Sequence, residues 1–180
     1  MIYRRKKKTP NNFAFIDSQN LNLGIQKMGW KLDWRKFRQY LSDEYNVSKA
    51  FMFIGYMPEN ESLYEQMHEA GYLVVLKPTV EAADADGEEK PKIKGNTDAD
   101  MVLYAMKELN NYQKALIVSG DGDFYGLIEY LISRNKLGKI LTPNWQYSTL
   151  LKQFEDYILR LDTMKHQLAY WNKHKNRHNS

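Results

Sequence analysis

The chain has 180 residues, of which 43% are apolar and 27% charged, and it contains no cysteine. That length supports one α/β domain with a core, while the lack of cysteine excludes disulfides, thiolate metal sites and cysteine nucleophiles and fits a cytoplasmic protein. No stretch approaches the roughly 18–20 apolar residues of a membrane span, so no membrane association is expected.

The formal net charge of +4 is unevenly spread. Residues 1–8 carry five bases (Arg4, Arg5, Lys6, Lys7 and Lys8) and residues 163–180 carry four, with no acid in either segment. The stretch between them holds 17 Lys and Arg against all 22 Asp and Glu. An acidic body therefore carries two basic ends, a usual footprint of phosphate-backbone binding. Three units follow: a basic arm over 1–11, one domain over 12–162, and a C-terminal helix with a basic polar tail over 163–180. The basic start has no apolar run behind it of the signal-peptide kind.

In chain order, Phe13–Ile16 is a short apolar run that predicts a buried strand ending at Asp17. Leu21, Leu23, Ile25 and Met28 predict a short helix closed by Gly29. Asp33 can cap a second helix, with Trp34, Phe37, Tyr40, Leu41 and Tyr45 on one face. Ala50–Tyr56 predicts the second strand. A helix over Ser62–Ala70 stops at Gly71, and Tyr72–Leu76 predicts the third strand. Residues 79–93 show no apolar periodicity and carry five acids, which predicts a solvated loop. A helix follows from Asp98 to Leu109.

Lys114–Val118 predicts the fourth strand, with a turn at Ser119-Gly120 and a helix over Asp123–Asn135 that Gly138 ends. Lys139–Thr142 predicts a fifth strand, Ser148–Phe154 a short helix, Tyr157–Leu161 an edge strand, and Met164–Trp171 a last helix. Apolar strands alternating with helices predict a three-layer α/β fold, a mostly parallel sheet with helices on both faces. Trp145, Tyr147 and Trp171 are candidates for a homo-oligomer interface.

The acids cluster where chemistry is expected in such sheets, at the carboxyl ends of strands. Asp17 and Asp121 each follow an apolar strand directly. Asp98 aligns with Met101, Val102, Ala105 and Leu109, the sheet-facing side of its helix, whereas Asp100 lies over Tyr104 and Lys107. Two residues apart, these carboxylates point in nearly opposite directions. An acid at the head of a buried stripe calls for a cation. Asp100 is equally a partner of Thr97 in a capping box. Asp123 can cap the helix that follows it. Ser119 can hydrogen-bond a carboxylate or a phosphate, and Asn20 can orient a phosphate or cap the helix beside it. Clustered carboxylates with oxygen donors select Mg²⁺ or Mn²⁺. Such ions can activate water and stabilise the leaving oxygen of a phosphodiester. The four histidines are poorly placed for a histidine mechanism, and no phosphate-binding glycine loop is present.

FAFIDSQNL, KGNTDADMVL and LIVSGDGDF, in that order and spacing, resemble the NYN domain family, in its LabA-like branch of the PIN-like nucleases. The resemblance covers about residues 12–142. It implies a parallel, Rossmann-like sheet with an acidic pocket at the strand ends, a divalent metal and RNA cleavage. It implies metal-binding and catalytic roles for Asp17, Asp98, Asp121 and Asp123, and it puts Asn20 and Ser119 near the site. The second motif commonly has Glu where this chain has Asp100, which leaves that residue a secondary ligand. Lys94, at the head of the second motif, and the arm residues Arg4 to Lys8 are expected on the substrate side. The expected partner is single-stranded RNA. A catalytically silent RNA-binding or protein-interaction module is the alternative. A phosphatase with a nucleophilic aspartate ranks last, because Asp17-Ser18-Gln19 lacks the second aspartate that haloacid dehalogenase-type enzymes use.

Overall fold

The computed structural model describes residues 11–77, 80–82, 92–94 and 97–171. The basic arm, most of the acidic stretch and the C-terminal tail lie outside the described residues, as does the side chain of Lys94.

The elements run β1 (Asn12–Asp17), α1 (Ser18–Gln26), α2 (Trp34–Tyr45), β2 (Val47–Gly55), α3 (Glu61–Glu69), β3 (Leu73–Lys77), β4 (Val80–Ala82), β5 (Lys92–Lys94) and α4 (Asp98–Lys107). They continue with β6 (Ala115–Val118), α5 (Tyr125–Ser133), β7 (Leu137–Thr142), β8 (Ile158–Arg160) and α6 (Lys165–Leu168). Six strands form one sheet in the order β3-β2-β1-β6-β7-β8, and every pairing in it is parallel. The chain moves outward from β1 to β3, returns to the centre at β6, and moves outward the other way. The order therefore reverses between β1 and β6, the place where doubly wound sheets open a crevice for ligands.

The period of two along β1 divides the core. Ala14 and Ile16 join Leu21 and Ile25 of α1, Phe37 and Leu41 of α2, and Met67 of α3. Phe13 and Phe15 face the other way, with Met101 and Ala105 of α4 and Ile128 and Leu131 of α5. Aromatic packing fills that second layer. Phe15 stacks on Phe51 with rings 5.5 Å apart and 4° from parallel, and Tyr112 closes edge-on against Phe15. Strands buried on both faces need apolar residues at every position, which is why their sequences run continuously apolar. The outer strand β3 has one uncovered edge, and there Leu73 and Leu76 are exposed.

Four expectations change. Residues 79–93 are not all loop, since β4 and β5 pair antiparallel, Val80 opposite Lys94. Gly138 does not end a helix. The turn comes earlier, at Asn135 with φ of 53°, where the Lys136 N–H closes onto the Leu131 carbonyl. Gly138 lies inside β7, where a Cβ would come within 3.2 Å of the Ala115 carbonyl oxygen. The short helix after β7 does break at Phe154, whose φ of −104° and ψ of 24° are non-helical, but its turns are 3-10, start from a Ser148 cap and resume past the break to Tyr157. The last helix is only α6, after which Ala169 bridges Leu32 and buries itself with Leu168 in the core.

Gly24 records how tightly α1 packs on the loop after β7. A Cβ there would lie 2.4 Å from Pro143 Cβ. In an open helix, Gly to Ala gains up to about 1 kcal/mol of helix propensity. Here overpacking, about 1–3 kcal/mol, outweighs it. Gly24→Ala is expected to lower the urea midpoint of unfolding. A higher midpoint would show that the α1–Pro143 contact has slack.

Candidate functional site

Asp17 is the last residue of β1 and the N-cap of α1, and its Oδ1 accepts from the Asn20 N–H at 3.0 Å. It is 6% exposed. Its Oδ2 accepts from the buried Ser119 hydroxyl, just past β6, at 3.1 Å. The Ser119 oxygen in turn accepts from the Asp121 N–H at 3.1 Å. One hydroxyl thus fixes two aspartates on neighbouring strands. Asn20 adds a second tie, its Oδ1 accepting from the Gly120 N–H at 2.9 Å. Asn20 therefore pins the opposite loop instead of capping its own helix.

The turn itself is clamped from outside. The Ser148 N–H donates to the Gly120 carbonyl at 2.9 Å. A Cβ at Gly120 would meet Tyr147 Cβ at 3.2 Å, and one at Gly122 would meet Ser148 Oγ at 2.4 Å. Close approach thus leaves little room for a side chain at either glycine of the SGDGD stretch, least at Gly122. Asp121 accepts from the Asp123 N–H at 3.0 Å and caps the 3-10 turn Gly122–Phe124. The cap is Asp121, not Asp123.

The third carboxylate comes from α4. Asp98 opens that helix, with Met101 and Ala105 of the same face fully buried. Asp100 points elsewhere and forms an ion pair with Lys77 Nζ at 3.1 Å. Thr97 makes no capping hydrogen bond, so no capping box forms. Asp98 and Asp100 thus lie on different faces of the helix. The side beyond Asp100 is drier than expected, however, because Tyr104 packs edge-on against Phe51 and Phe53.

Asp17, Asp98 and Asp121 line one cavity of about 290 Å³, with Gln19, Asn20 and Thr97 beside them. Asp123 is exposed and stands at its margin, close enough to act on Asp98 through charge. Burial raises the Asp17 carboxyl, against the lowering effect of its hydrogen bonds. The Asp98 carboxyl is pushed up to about 6, first by burial and then by the charges of Asp17, Asp121 and Asp123, with Lys77 opposing. Carboxylates that raise one another in this way fit a cation. Among the described residues, no three acid or histidine side chains converge closely enough to cage a metal by themselves. An all-oxygen set of this kind suits a hard ion that keeps part of its water shell, as Mg²⁺ does.

The family model for the NYN domain matches residues 13–162. The chain belongs to the NYN domain family. The low amplitude and bright protein LabA of Synechococcus elongatus is 24% identical over 161 residues, covering 87% of each chain. A crystal structure of a protein of unknown function from Vibrio parahaemolyticus shares the fold, with a TM-score of 0.68 at 22% identity, over 87% of this chain and 96% of that one. In this NYN chain the three motifs meet as their order implies, at the point where the sheet reverses. The Pro143–Ser148 clamp lies outside all three motifs. Its signals in the sequence are the strand-breaking Pro143 and the capping Ser148, both of which pass for ordinary turn residues.

A carboxyl whose pKa rises on folding favours the fold while it is protonated. That contribution is complete below the unfolded value of 3.8 and is lost as pH rises through about 6. Asp98→Asn removes the charge at every pH. With solvent screening leaving on the order of 1 kcal/mol, it is expected to raise Tm by about 2–4 °C at pH 7.5 without divalent metal, and to leave Tm unchanged at pH 3.5. An equal shift at both pH values would remove charge repulsion as the cause.

Proposed function

We propose that this NYN protein is a metal-dependent ribonuclease that hydrolyses phosphodiester bonds of single-stranded RNA. The observation that carries the reading is the meeting of Asp17, Asp98 and Asp121, from β1, α4 and the β6 turn, in one crevice at the sheet's reversal. Burial first, and then the charges of its acidic neighbours, raise the Asp98 carboxyl. A site of this kind gains stability from a bound cation. Asp17, Asp98 and Asp121 would hold Mg²⁺ or Mn²⁺, with Asp123 adding charge at the margin. The ion supplies an activated water and stabilisation of the leaving oxygen.

The chain's own groups supply positioning. The Ser119 hydroxyl holds Asp17 and the Asp121 backbone in fixed relation. Asn20 and Ser148 hold Gly120 from two sides, so the turn keeps its shape when charge enters the crevice. RNA would meet the acidic body through the basic residues Arg4–Lys8 and through Lys94. We place this chemistry in the cytoplasm, in keeping with a cysteine-free chain. One observation favours a second reading, a silent RNA-binding module: the carboxylates do not form a ready cage among the described residues.

Cleavage of a labelled single-stranded RNA separates the two. Cleavage is expected with Mn²⁺ or Mg²⁺, and it is expected to vanish with EDTA, with Asp121→Asn and with Asp98→Asn. Asp100→Asn, which alters only the Lys77 side of α4, is expected to keep most of it. RNA bound without turnover under all these conditions would favour the silent module. Deleting residues 1–8 is expected to weaken RNA binding and to flatten its salt dependence by roughly 0.7 in log–log slope for each phosphate that the arm neutralises. An unchanged slope would take the arm out of the interface.

A further inference from the structure

A second cavity of about 180 Å³ adjoins the acidic one, and the two share Asn20 and Leu23. Its chemistry is different. Among the described residues no carboxylate lines it; its walls are the amides of Asn20, Asn144 and Gln146, the ring of Pro143, the Leu23 side chain and Lys27. Lys27 is the one cation among the described residues lining either cavity.

The second cavity is built rather than accidental. Asn144 is 5% exposed; its Nδ2 donates to the Gly24 carbonyl at 2.7 Å, and its Oδ1 accepts from the Gln146 N–H at 2.7 Å. The Gly24–Pro143 contact closes the floor. Leu23 is 49% exposed on the ridge between the cavities, an apolar side chain left open at a polar site. At about 180 Å³ the second cavity falls short of the roughly 300–1,000 Å³ of ordinary ligand sites, whereas the joined groove reaches that range.

We propose that this amide-lined cavity is the subsite for the nucleotide flanking the reacting phosphate, with Lys27 contacting that nucleotide's phosphate. The inference rests on the ribonuclease reading for the identity of its ligand. A polyanion cannot lie wholly among carboxylates. The reacting phosphate is neutralised through the cation that the acids hold, and the next phosphate needs a positive charge of its own. Lys27 provides it one cavity away. Leu23 and Pro143 offer apolar surface to a sugar or base, and Gln146 and the remaining Asn20 and Asn144 amide protons offer hydrogen bonds to its polar edge. Lys27 is a binding residue here and takes no part in bond cleavage.

The test uses the full chain and a fluorescein-labelled single-stranded RNA hexamer. Anisotropy is read in the Asp121→Asn background with and without Lys27→Gln, and kcat and KM are read in the otherwise unaltered chain. Lys49→Gln, at the opposite end of the sheet, is the control for loss of a surface charge. Lys27→Gln is expected to weaken binding about 5-fold or more, to lower the salt slope by roughly 0.7, and to raise KM while leaving kcat within about 2-fold. If Lys27→Gln matches Lys49→Gln in affinity and slope while the unaltered chain still cleaves, the subsite is overturned and the nuclease reading stands. Binding that depends on Lys27 without cleavage in Mg²⁺ or Mn²⁺ overturns the nuclease reading, and with it the flanking-nucleotide role, and leaves Lys27 as an RNA contact of a silent module. No RNA binding by the unaltered chain overturns both.

Discussion

The hydrogen bond from Ser119 to Asp17 is the constraint on which the site depends. A carboxylate withdrawn from water costs several kcal/mol unless donors replace the lost solvation. Asp17 has such donors on both sides of the crevice, the Asn20 and Gln19 N–H groups on one and the Ser119 hydroxyl on the other. Hydrogen bonds to a charged group are worth about 1.5–3 kcal/mol each, enough to hold the carboxylate in place but not to cancel the cost of burial. The balance matches the direction seen, an Asp17 carboxyl still raised above its ordinary value. The fold thus tolerates a strained charge at its centre.

The support around that charge is made of neutral groups. Asn20 ties Gly120, Asn144 ties Gly24, and Ser148 ties Gly120, all through amides, hydroxyls and backbone. A lysine or arginine in these places would neutralise the acids directly. Lys77 pairs with Asp100 on the outer side of α4 and also lowers the Asp98 carboxyl, against the larger raising effects of burial and of the neighbouring acids. The arrangement holds the carboxylates in position with a net excess of negative charge at the crevice.

Much of this was legible in the sequence because it rests on short-range pattern. Continuous apolar runs marked strands buried on both faces, and an acid directly after such a run marked a strand tip. The three-residue step from Asp98 to Met101 placed that carboxylate on the buried face, and Asp100, turned toward Lys77, lies on another. What stayed hidden depends on contacts across the fold. Gly138 has the look of a helix stop, yet it is fixed by the approach of β7 to the Ala115 carbonyl. The β4–β5 pairing joins two alternating triplets, Val80–Ala82 and Lys92–Lys94, too short to read as strands on their own. Asp121, rather than Asp123, caps the turn because the 3-10 turn starts at Gly122, which makes Asp121 the residue before it, within reach of the Asp123 N–H. The clamp at Pro143–Ser148 carries no chemical signature at all, only shape.

The central pair of strands has a consequence for how the protein is made. Asp17 and Ser119 are 102 residues apart along the chain, yet their strands lie side by side with Ile16 opposite Val118. Pairings of such long separation form late, because loop-closure entropy must be overcome before any contact compensates it. A chain emerging from the ribosome can form β1, α1, α2 and β2 early, with Asp17 at an unfinished edge. It has no crevice until β6 slots in beside β1 and the Ser119 turn closes. The crowding of carboxylates at the crevice therefore exists only once β6 stands beside β1, and a chain that stops short of β6 carries Asp17 without Ser119 or Asp121 beside it.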